Sequence, residues 1–418
     1  MHLAAGIVLG AIIAIIVYVY AGYPLVIWLA GVVKRVPVRR DDSYVPSVTL
    51  IISAHNEERV IREKIENSLK IDYPKDRFKI LVASDGSVDA TNDIVHEYER
   101  KGIILKAFAR REGKNATLNR AVVGLESEVL VFSDANTFYE PDAVRKLVRN
   151  LADDEVGCAV GKLVYLTNHS YVGRGESLYW RYESVLNRLE SRIKSVLVAT
   201  GTIFAMRREL FGPLLNDVAN DFQLPAEVAS RGYGVVYDGE AIAYERSSYF
   251  LREEFSRKRR IIVRGLTGYQ ALGRNFGGRL RTFQFVSRKL LRWLVGPMLP
   301  VLYAANLFLL NDPFFFTLFV LQSLFYVVAI VGGILRRGGV QSKALVLPFY
   351  FVMVNAAALA AIIKYLGGNR FSLWEKAETT RDAGDETAPG PKLRVIEGKK
   401  DHSYGEKTKG IENLERIT

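Results

Sequence analysis

Long uncharged apolar stretches lie near both ends of the chain. The first runs from Leu3 to Val33 and holds 31 residues without a charge. About 20 apolar residues suffice for a helix to span a bilayer. Three later stretches have the same character, at Trp293–Asn311, Pro313–Leu335 and Ala344–Ile363. The pattern predicts four transmembrane helices, since buried helices of soluble proteins rarely stay uncharged over such lengths.

The charges beside the first stretch predict its orientation. Lys34, Arg35, Arg39 and Arg40 follow it, and positive flanks favour the cytoplasmic side. A cleaved signal peptide would instead have a positive start and a shorter apolar core. We therefore expect 1–36 to be an N-terminal transmembrane helix that starts outside and leads into the cytosol. Four simple crossings would then place the C-terminus outside.

Residues 41–250 alternate short apolar runs with helical spacing. Continuous apolar strands that alternate with helices indicate a mostly parallel sheet covered on both faces. Ligands bind such sheets at the carboxyl ends of the strands. Strands are predicted at 48–53, 79–83, 103–108 and 129–132, with helices at 58–69, 91–100 and 115–125.

Polar residues gather at that edge of the predicted sheet. His55–Glu58 follow the first strand, Asp85–Ser87 follow the second, and Ser133–Asn136 follow the fourth. Each group alone could be a turn, and Asp89 could cap a helix. Three polar loops on one edge together indicate a ligand site.

The composition narrows the chemistry of that site. A single cysteine, Cys158, excludes a disulfide framework and a cysteine-based zinc site, and five scattered histidines argue against a histidine cluster. The chain has neither a GxxxxGK[ST] loop nor GxGxxG after a strand. A bound diphosphate would instead be neutralised by a divalent cation on carboxylate oxygens, with Asp134 as the candidate, and by Lys114.

The positive charge is concentrated before the second apolar stretch. The formal net charge is +12, and the 41 residues from 252 to 292 carry +10 of it. Apolar residues are interleaved with these cations, as in helices that lie on an anionic membrane surface. A solvated face or contact with an anionic substrate are alternatives. We expect no nucleic-acid partner, because the segment leads into a membrane span, and we predict basic amphipathic interface helices at 251–292.

A second polar group follows later in the soluble part. Thr200, Gly201 and Thr202 precede Asp221, which lies at the start of a predicted helix that ends at Arg231. Asp221 could cap that helix, or it could be a general base beside a substrate hydroxyl. The residues by themselves leave both possibilities open.

Seven motifs in this order resemble those of the membrane-integrated family 2 glycosyltransferases, relatives of cellulose, hyaluronan and poly-N-acetylglucosamine synthases. The resemblance covers roughly residues 20–380. The motifs are Ser53–Glu58 (SAHNEE), Ser84–Thr91 (SDGSVDAT), Gly113–Asn119 (GKNATLN), Ser133–Thr137 (SDANT), Ala199–Thr202 (ATGT), Asn220–Leu224 (NDFQL) and Gly232–Asp238 (GYGVVYD).

The resemblance implies an α/β fold, a GT-A nucleotide-diphospho-sugar transferase domain at 41–250 between one N-terminal and three C-terminal spans at 293–366. Asp221 would be the catalytic base, and Asp134 with Asn136 would hold Mg²⁺ or Mn²⁺. The nucleotide sugar would contact His55, Asn56, Glu57, Asp85, Asp89, Lys114 and Asp134, and the acceptor or donor sugar would contact Thr200, Gly201, Thr202, Arg257 and Arg260.

The implied reaction is an inverting transfer from a nucleotide-diphospho-sugar, with a UDP-sugar favoured. The acceptor would be a lipid-linked or glycan molecule at the inner leaflet of the plasma membrane, with the catalytic domain in the cytosol. The protein would also contact membrane lipids and act in cell-envelope or polysaccharide biosynthesis. A non-catalytic nucleotide- or lipid-binding membrane regulator is the alternative from another class.

Three positions depart from the family pattern. Asn136 and Asn220 stand where relatives often have an acidic residue. The QxxRW motif of processive synthases is replaced by Arg257–Ile261, which keeps the arginine only. Transfer of a single sugar is therefore expected ahead of polymer synthesis and export. Export would need a channel, which four spans could form if the chain assembled into a homo-oligomer.

The end of the chain has two features. Phe371–Lys376 is similar to a segment that follows the last span in relatives, often on the cytosolic side. This conflicts with four simple crossings unless one apolar stretch is re-entrant or interfacial. Residues 377–418 are polar and are predicted to lack fixed structure.

Overall fold

The computed structural model describes residues 2–166, 171–246, 250–336 and 342–368. The predictions for Phe371–Lys376 and 377–418 lie outside these residues. The centre of the fold is one sheet of eight strands. They are β1 Val48–Ala54, β2 Phe78–Asp85, β3 Ile103–Phe108, β4 Val129–Asp134, β5 Thr137–Tyr139, β6 Val156–Leu166, β7 Phe204–Arg207 and β8 Gly234–Arg246.

The strand order is β3-β2-β1-β4-β7-β6-β8-β5. β1 pairs in parallel with β2 and β4, and β2 with β3, as predicted. The second half is mixed, because β7 runs antiparallel to both β4 and β6, and β5 runs antiparallel to β8. The register places Ser53 beside Asp134 and Ala54 beside Ser84, so the polar loops after these strands leave the sheet at one edge.

Apolar layers cover both faces of the sheet. Along β1, Leu50 and Ile52 belong to one buried cluster, and Ile51 between them belongs to the cluster on the opposite face. Successive side chains of a strand point to opposite faces, so apolar layers on both faces leave every residue of β1 buried. The helices are α1 His2–Val17, α2 Tyr23–Val33, α3 Ile61–Leu69, α4 Thr91–His96, α5 Lys114–Val122, α6 Ala143–Val148, α7 Tyr171–Ser191, α8 Asn220–Ser230, α9 Leu251–Leu272, α10 Gly278–Phe285, α11 Leu291–Leu307, α12 Pro313–Leu335 and α13 Lys343–Leu366.

Within the described residues, four helices are long and apolar enough to cross a membrane: His2–Val33, Gly278–Leu307, Pro313–Leu335 and Ala344–Leu366. This agrees with the four predicted spans and fits an integral membrane protein. Asp312 ends the tight connection before α12, and its carboxylate accepts a hydrogen bond from the Phe314 amide at 2.8 Å. The cap satisfies one of the open amides at the start of the helix.

The basic segment at 251–292 differs from its prediction. α10 continues without a break through Leu290 into α11, so the predicted boundary at 293 falls inside one helix. Arg281 and Arg288 are only 2% exposed, and Lys258 is 5% exposed. Several of the cations expected on the membrane surface are therefore inside the protein, where carboxylates and carbonyl oxygens surround them.

Candidate active site

The loops after β1 and β2 are joined by hydrogen bonds through Asp85. Its carboxylate accepts from the backbone amides of Glu112 at 2.8 Å and Gly113 at 2.9 Å, and its carbonyl oxygen accepts from His55 Nδ1 at 2.6 Å. Gly86 follows with a φ of 59°, and a Cβ there would lie 2.5 Å from the Arg111 amide nitrogen. Asp85 thus fixes the loop that leads into Lys114.

Asn56, Glu57 and Asp89 shape the same edge. Asn56 adopts a φ of 52°, and its side-chain oxygen accepts from the Val88 amide at 2.8 Å. Glu57 is buried, and its amide donates to the Thr91 hydroxyl at 2.7 Å. The Asp89 carboxylate accepts from the Thr91 amide at 3.1 Å, which places it at the start of α4 as a loop-shaping residue.

A cavity of about 450 Å³ begins at the end of β4 and extends to the membrane helices. The predicted residues His55, Asn56, Glu57, Asp85 and Asp89 are not among its lining residues and form the neighbouring loop group. The lining includes Lys114, Asp134, Asn136, Thr200, Gly201, Thr202, Asp221, Arg257 and Arg260.

Asp134 and Lys114 form an ion pair at the start of the cavity. Their side chains are 13% and 10% exposed, and the lysine Nζ donates to Asp134 Oδ1. The Asn136 amide nitrogen donates to Glu245 Oε1 at 3.1 Å, and both side chains are buried. Sequence analysis did not select Glu245, which lies on β8, more than 100 residues from Asn136.

This corner of the cavity fits a divalent cation only together with a ligand. Among the described residues, no group of three His, Cys, Asp or Glu side chains is arranged to hold a metal. Asp134 lines the cavity and is paired with Lys114, so a divalent cation at its carboxylate would take the place of this lysine. Hard divalent cations accept carboxylate, amide and phosphate oxygens, and a diphosphate could complete such a set.

Asp221 lines the same cavity as Asp134. The structure does not support a role as the helix cap, because α8 begins at Asn220 and its N-cap is Ala219. The Asp221 carbonyl oxygen accepts from the Ala199 amide at 2.8 Å, which ties α8 to the loop after residue 198. A Cβ on Gly201 would lie 2.8 Å from Asp221 Oδ2, so the missing side chain of Gly201 admits the carboxylate.

The electrostatics of Asp221 suit a proton acceptor. Burial raises the pKa of its carboxyl, and the cations Lys114 and Arg264 offset part of this rise. Arg264 is held by the Val218 carbonyl oxygen, to which its Nη2 donates at 2.6 Å. A raised pKa brings a carboxylate closer to the range in which it accepts a proton effectively.

The loop with Thr200 and Thr202 is held against the sheet. The Thr200 hydroxyl donates to the Gly161 carbonyl oxygen at 3.2 Å. The Tyr139 hydroxyl lies 2.9 Å from the carbonyl oxygens of both Phe132 and Thr202. Tyr139 therefore links β4 to the loop beside Asp221. The local sequence around Tyr139 gives no indication of this role.

The far end of the cavity is formed by the membrane helices. Leu347, Phe351 and Val354 of α13 line it, together with Tyr20 of the first span. Tyr20 lies in a π-helical turn at Tyr18–Gly22, and its ring is 6.0 Å from that of Phe351. The cavity thus connects the carboxylates Asp134 and Asp221 with apolar side chains of the spans.

Buried ion pairs surround this end. Arg257 donates to Glu176 and to Glu254, and Arg288 donates to Glu183 at 2.8 Å and Glu190 at 2.5 Å. Glu176, Glu183 and Glu190 are buried and follow one another at intervals of seven residues along α7. Since a seven-residue repeat returns to the same helical face, the spacing of these glutamates in the sequence indicates one acidic face of α7.

The chain also matches known proteins. The profile described as glycosyl transferase family 2 matches residues 49–215, which contain β1 to β7, the Asp134 corner and the loop of Thr200 to Thr202. The chain carries a glycosyl transferase family 2 domain. Asp221 lies beyond the matched residues. The match confirms the resemblance that the sequence motifs indicated.

Two curated relatives share this domain. The chain is 31% identical over 232 residues to the probable glycosyltransferase YdaM of Bacillus subtilis. The aligned region covers 51% of this chain and 54% of YdaM. The chain is also 21% identical over 204 residues to the poly-beta-1,6-N-acetyl-D-glucosamine synthase of Staphylococcus aureus strain COL, covering 47% and 49%. The chain thus spans about half the length of these relatives.

A solved structure shares the fold beyond the family 2 domain. It is the mannosyltransferase PcManGT from Pyrobaculum calidifontis, in complex with GDP-Man and Mn²⁺. The TM-score is 0.69 at 22% sequence identity, and the match covers 87% of this chain and 99% of that one. This likeness shows the GT-A fold that was predicted for the α/β domain, and among the described residues one candidate membrane helix precedes that domain and three follow it.

Proposed function

We propose that the protein transfers a sugar, with inversion, from a nucleotide-diphospho-sugar to a lipid-linked or glycan acceptor at the inner leaflet of the plasma membrane. The observation that carries this proposal is the cavity that joins Asp134 and Asp221 to Tyr20 and Phe351 of the membrane helices. A sugar donor at the sheet edge and an acceptor from the bilayer would meet in it.

The donor would occupy the sheet edge. His55, Asn56, Glu57, Asp85 and Asp89 would surround its nucleoside, because their loops lie together after β1 and β2. Lys114 would move from Asp134 to the diphosphate. The UDP preference remains a prediction, and the GDP-Man bound by PcManGT makes a guanine nucleotide an equally direct donor to test.

A divalent cation held by Asp134 and Asn136 would offset charge on the departing diphosphate. Mn²⁺ in the structure of PcManGT supports such use, and Mg²⁺ is the alternative metal. Lys114 beside it would supply further positive charge to the leaving group.

Asp221 would act as the base. Its carboxylate takes the proton of the acceptor hydroxyl while that oxygen attacks the anomeric carbon, and the bond from this carbon to the diphosphate breaks. The nucleoside diphosphate leaves with the bonding electron pair. Thr200, Gly201 and Thr202 would place the sugar beside Asp221, and Arg260 would face the acceptor from α9.

Reconstitution of the full chain in vesicles tests this proposal. Labelled UDP- and GDP-sugars are offered with Mg²⁺ or Mn²⁺, and label in lipid and in polymer fractions is measured. We expect metal-dependent transfer into the lipid fraction. Nucleotide binding without turnover for every donor would instead favour the regulator.

Polymer synthesis is the second candidate function. The name of the Staphylococcus aureus relative favours it, as does the position of Arg257 beside the cavity. The same reconstitution separates the two, since a processive enzyme would give long products from a single labelled donor.

Gly201→Ala is expected to lower transfer by about tenfold or more, because small misplacements of a catalytic group are costly. The new Cβ would stand 2.8 Å from Asp221 Oδ2 and displace the carboxylate. The measurement is kcat at saturating donor. Gly239→Ala is the matched control, since a Cβ there meets Tyr237 at an ordinary 3.4 Å. Equal effects in both variants would contradict the assignment.

Arg264→Gln is expected to move the acid limb of the pH–rate profile to higher pH. Arg264 lowers the pKa of Asp221, so removing the cation raises that pKa further. A base is active when deprotonated, and its active fraction is lost as pH falls through the raised pKa. Arg264→Lys keeps the charge and should restore the profile. A shift to lower pH would refute Asp221 as the titrating base.

A further inference from the structure

The cavity carries an excess of positive charge along its lining. Its described lining has eight cationic side chains against four carboxylates. Three further carboxylates lie behind the lining, at Glu176, Glu190 and Glu254, and one positive charge is left over when they are included. The cations are Lys114, Arg257, Lys258, Arg260, Arg264, Arg288, Lys289 and Arg292, and the lining carboxylates are Asp134, Glu183, Asp221 and Glu245.

We propose that the acceptor is a lipid whose sugar is joined to its hydrocarbon chain through a phosphate or diphosphate, which binds at Lys258, Lys289 and Arg292. This inference rests on the proposed function and names its acceptor class. A neutral glycan would carry no negative charge to pair with these cations.

The cations on α11 and on the helical turn before it outnumber the carboxylates that they contact. Lys289 Nζ lies 3.0 Å from Glu183 Oε2, and Arg292 Nη1 lies 2.6 Å from Glu183 Oε1. Arg288 also contacts Glu183, at 2.8 Å. One carboxylate therefore serves three cations, and Glu190 adds one more charge. Buried charges are costly unless paired, so an anion in the adjoining cavity would be stabilised.

Lys258 faces the same space from α9. Its Nζ is 3.4 Å from Glu254 Oε1 and 3.8 Å from the centre of the Tyr179 ring. Glu254 is shared with Arg257 and with the Tyr350 hydroxyl. Burial lowers the pKa of Lys258 to about 8, and Glu254 offsets this only in part. A phosphate beside Lys258 would favour its charged form.

A second, apolar cavity between the spans adjoins the first. It has a volume of about 390 Å³, and its lining includes Leu299, Leu307 and Leu359. Asn355 of α13 lines both cavities. A hydrocarbon chain could lie between α11, α12 and α13 while its phosphate faces the cations.

The base at Asp221 explains why the phosphate is a linker and not the nucleophile. An ionised phosphate oxygen needs no proton removed, whereas a sugar hydroxyl does. The hydroxyl proton goes to Asp221, the hydroxyl oxygen forms the glycosidic bond, and the nucleoside diphosphate leaves with its electron pair. The linker phosphate keeps all its bonds.

The test uses the full chain in phosphatidylcholine vesicles. Each hexose of a small panel is offered on one prenyl chain through two linkers, a diphosphate and a neutral ether. We expect kcat/KM to be about tenfold or more higher with the diphosphate, as for hydrogen bonds to charged groups. Lys258→Gln should reduce this ratio, Lys258→Arg should restore it, and exposed Lys101→Gln is the control.

Equal transfer to both linkers would overturn the inference and leave the proposed function standing. Binding of the two lipids without donor, measured by native mass spectrometry, decides the phosphate site even if transfer is absent. No transfer to any acceptor would contradict the proposed function, while diphosphate-selective binding would still support the site. If Lys258→Gln does not fold, the two linkers on the unaltered protein give the same decision.

Discussion

Asp221→Asn is expected to reduce sugar transfer by about 10²–10⁴-fold, the usual contribution of a general base. The amide keeps the size of the side chain beside Gly201 but cannot take the acceptor proton. Donor affinity should change little, because the loops at Asp85, which we propose to bind the nucleoside, do not line this cavity. The measurement is single-turnover transfer together with nucleotide-sugar binding by calorimetry.

The matched control is Asp154→Asn, which removes a carboxylate that is 92% exposed. We expect this variant to match the unaltered protein. Transfer by Asp221→Asn at the unaltered rate would exclude the carboxylate as base. Loss of both donor binding and transfer would indicate a structural role for Asp221.

Asp134→Ala is expected to abolish metal-dependent turnover of the donor, with a loss of about a thousandfold or more. The substitution removes the one carboxylate of the proposed metal site and leaves Lys114 without this partner. Nucleoside diphosphate release and Mn²⁺ binding in the presence of donor are the two measurements.

Asp134→Asn separates charge from shape at this position. It keeps an oxygen at the end of β4, so we expect weaker metal affinity with partial turnover at high Mn²⁺. Unchanged turnover in Asp134→Ala would refute the metal assignment. Lost turnover with unchanged Mn²⁺ binding would indicate that the metal binds at other residues and that Asp134 contacts the sugar donor.

The sequence predicted the first half of the sheet well. The central strands β1 and β4 are buried along nearly their whole length because both faces of the sheet are covered there, whereas the edge strand β3 is partly exposed. The order of β1 to β4 and of the helices between them is the one expected. The mixed second half was not predicted. The antiparallel pairing of β7 with β4 and β6 depends on a long connection through α7, which local apolar patterns do not encode.

The candidate site was predicted unevenly. Lys114, Asp134 and Asp221 were selected from the sequence, and the structure brings all three to one cavity. Glu245 and Tyr139 were missed, because each acts through a contact with a strand or loop far along the chain. Arg257 was expected at the acceptor, and it lines the cavity while paired to two buried carboxylates.

Sequence alone determined which segments are apolar enough to span a membrane and which polar loops follow the strands, since both depend on local patterns. The tertiary structure decided whether the basic side chains of 252–292 face lipid or lie inside the protein. The +10 of 252–292 was predicted to face lipid headgroups, yet Arg288 pairs with Glu190 across 98 residues of chain. Helical spacing specifies a face, but only the packing of α7 against the helix from Gly278 determines whether that face meets carboxylates, lipid or a cavity.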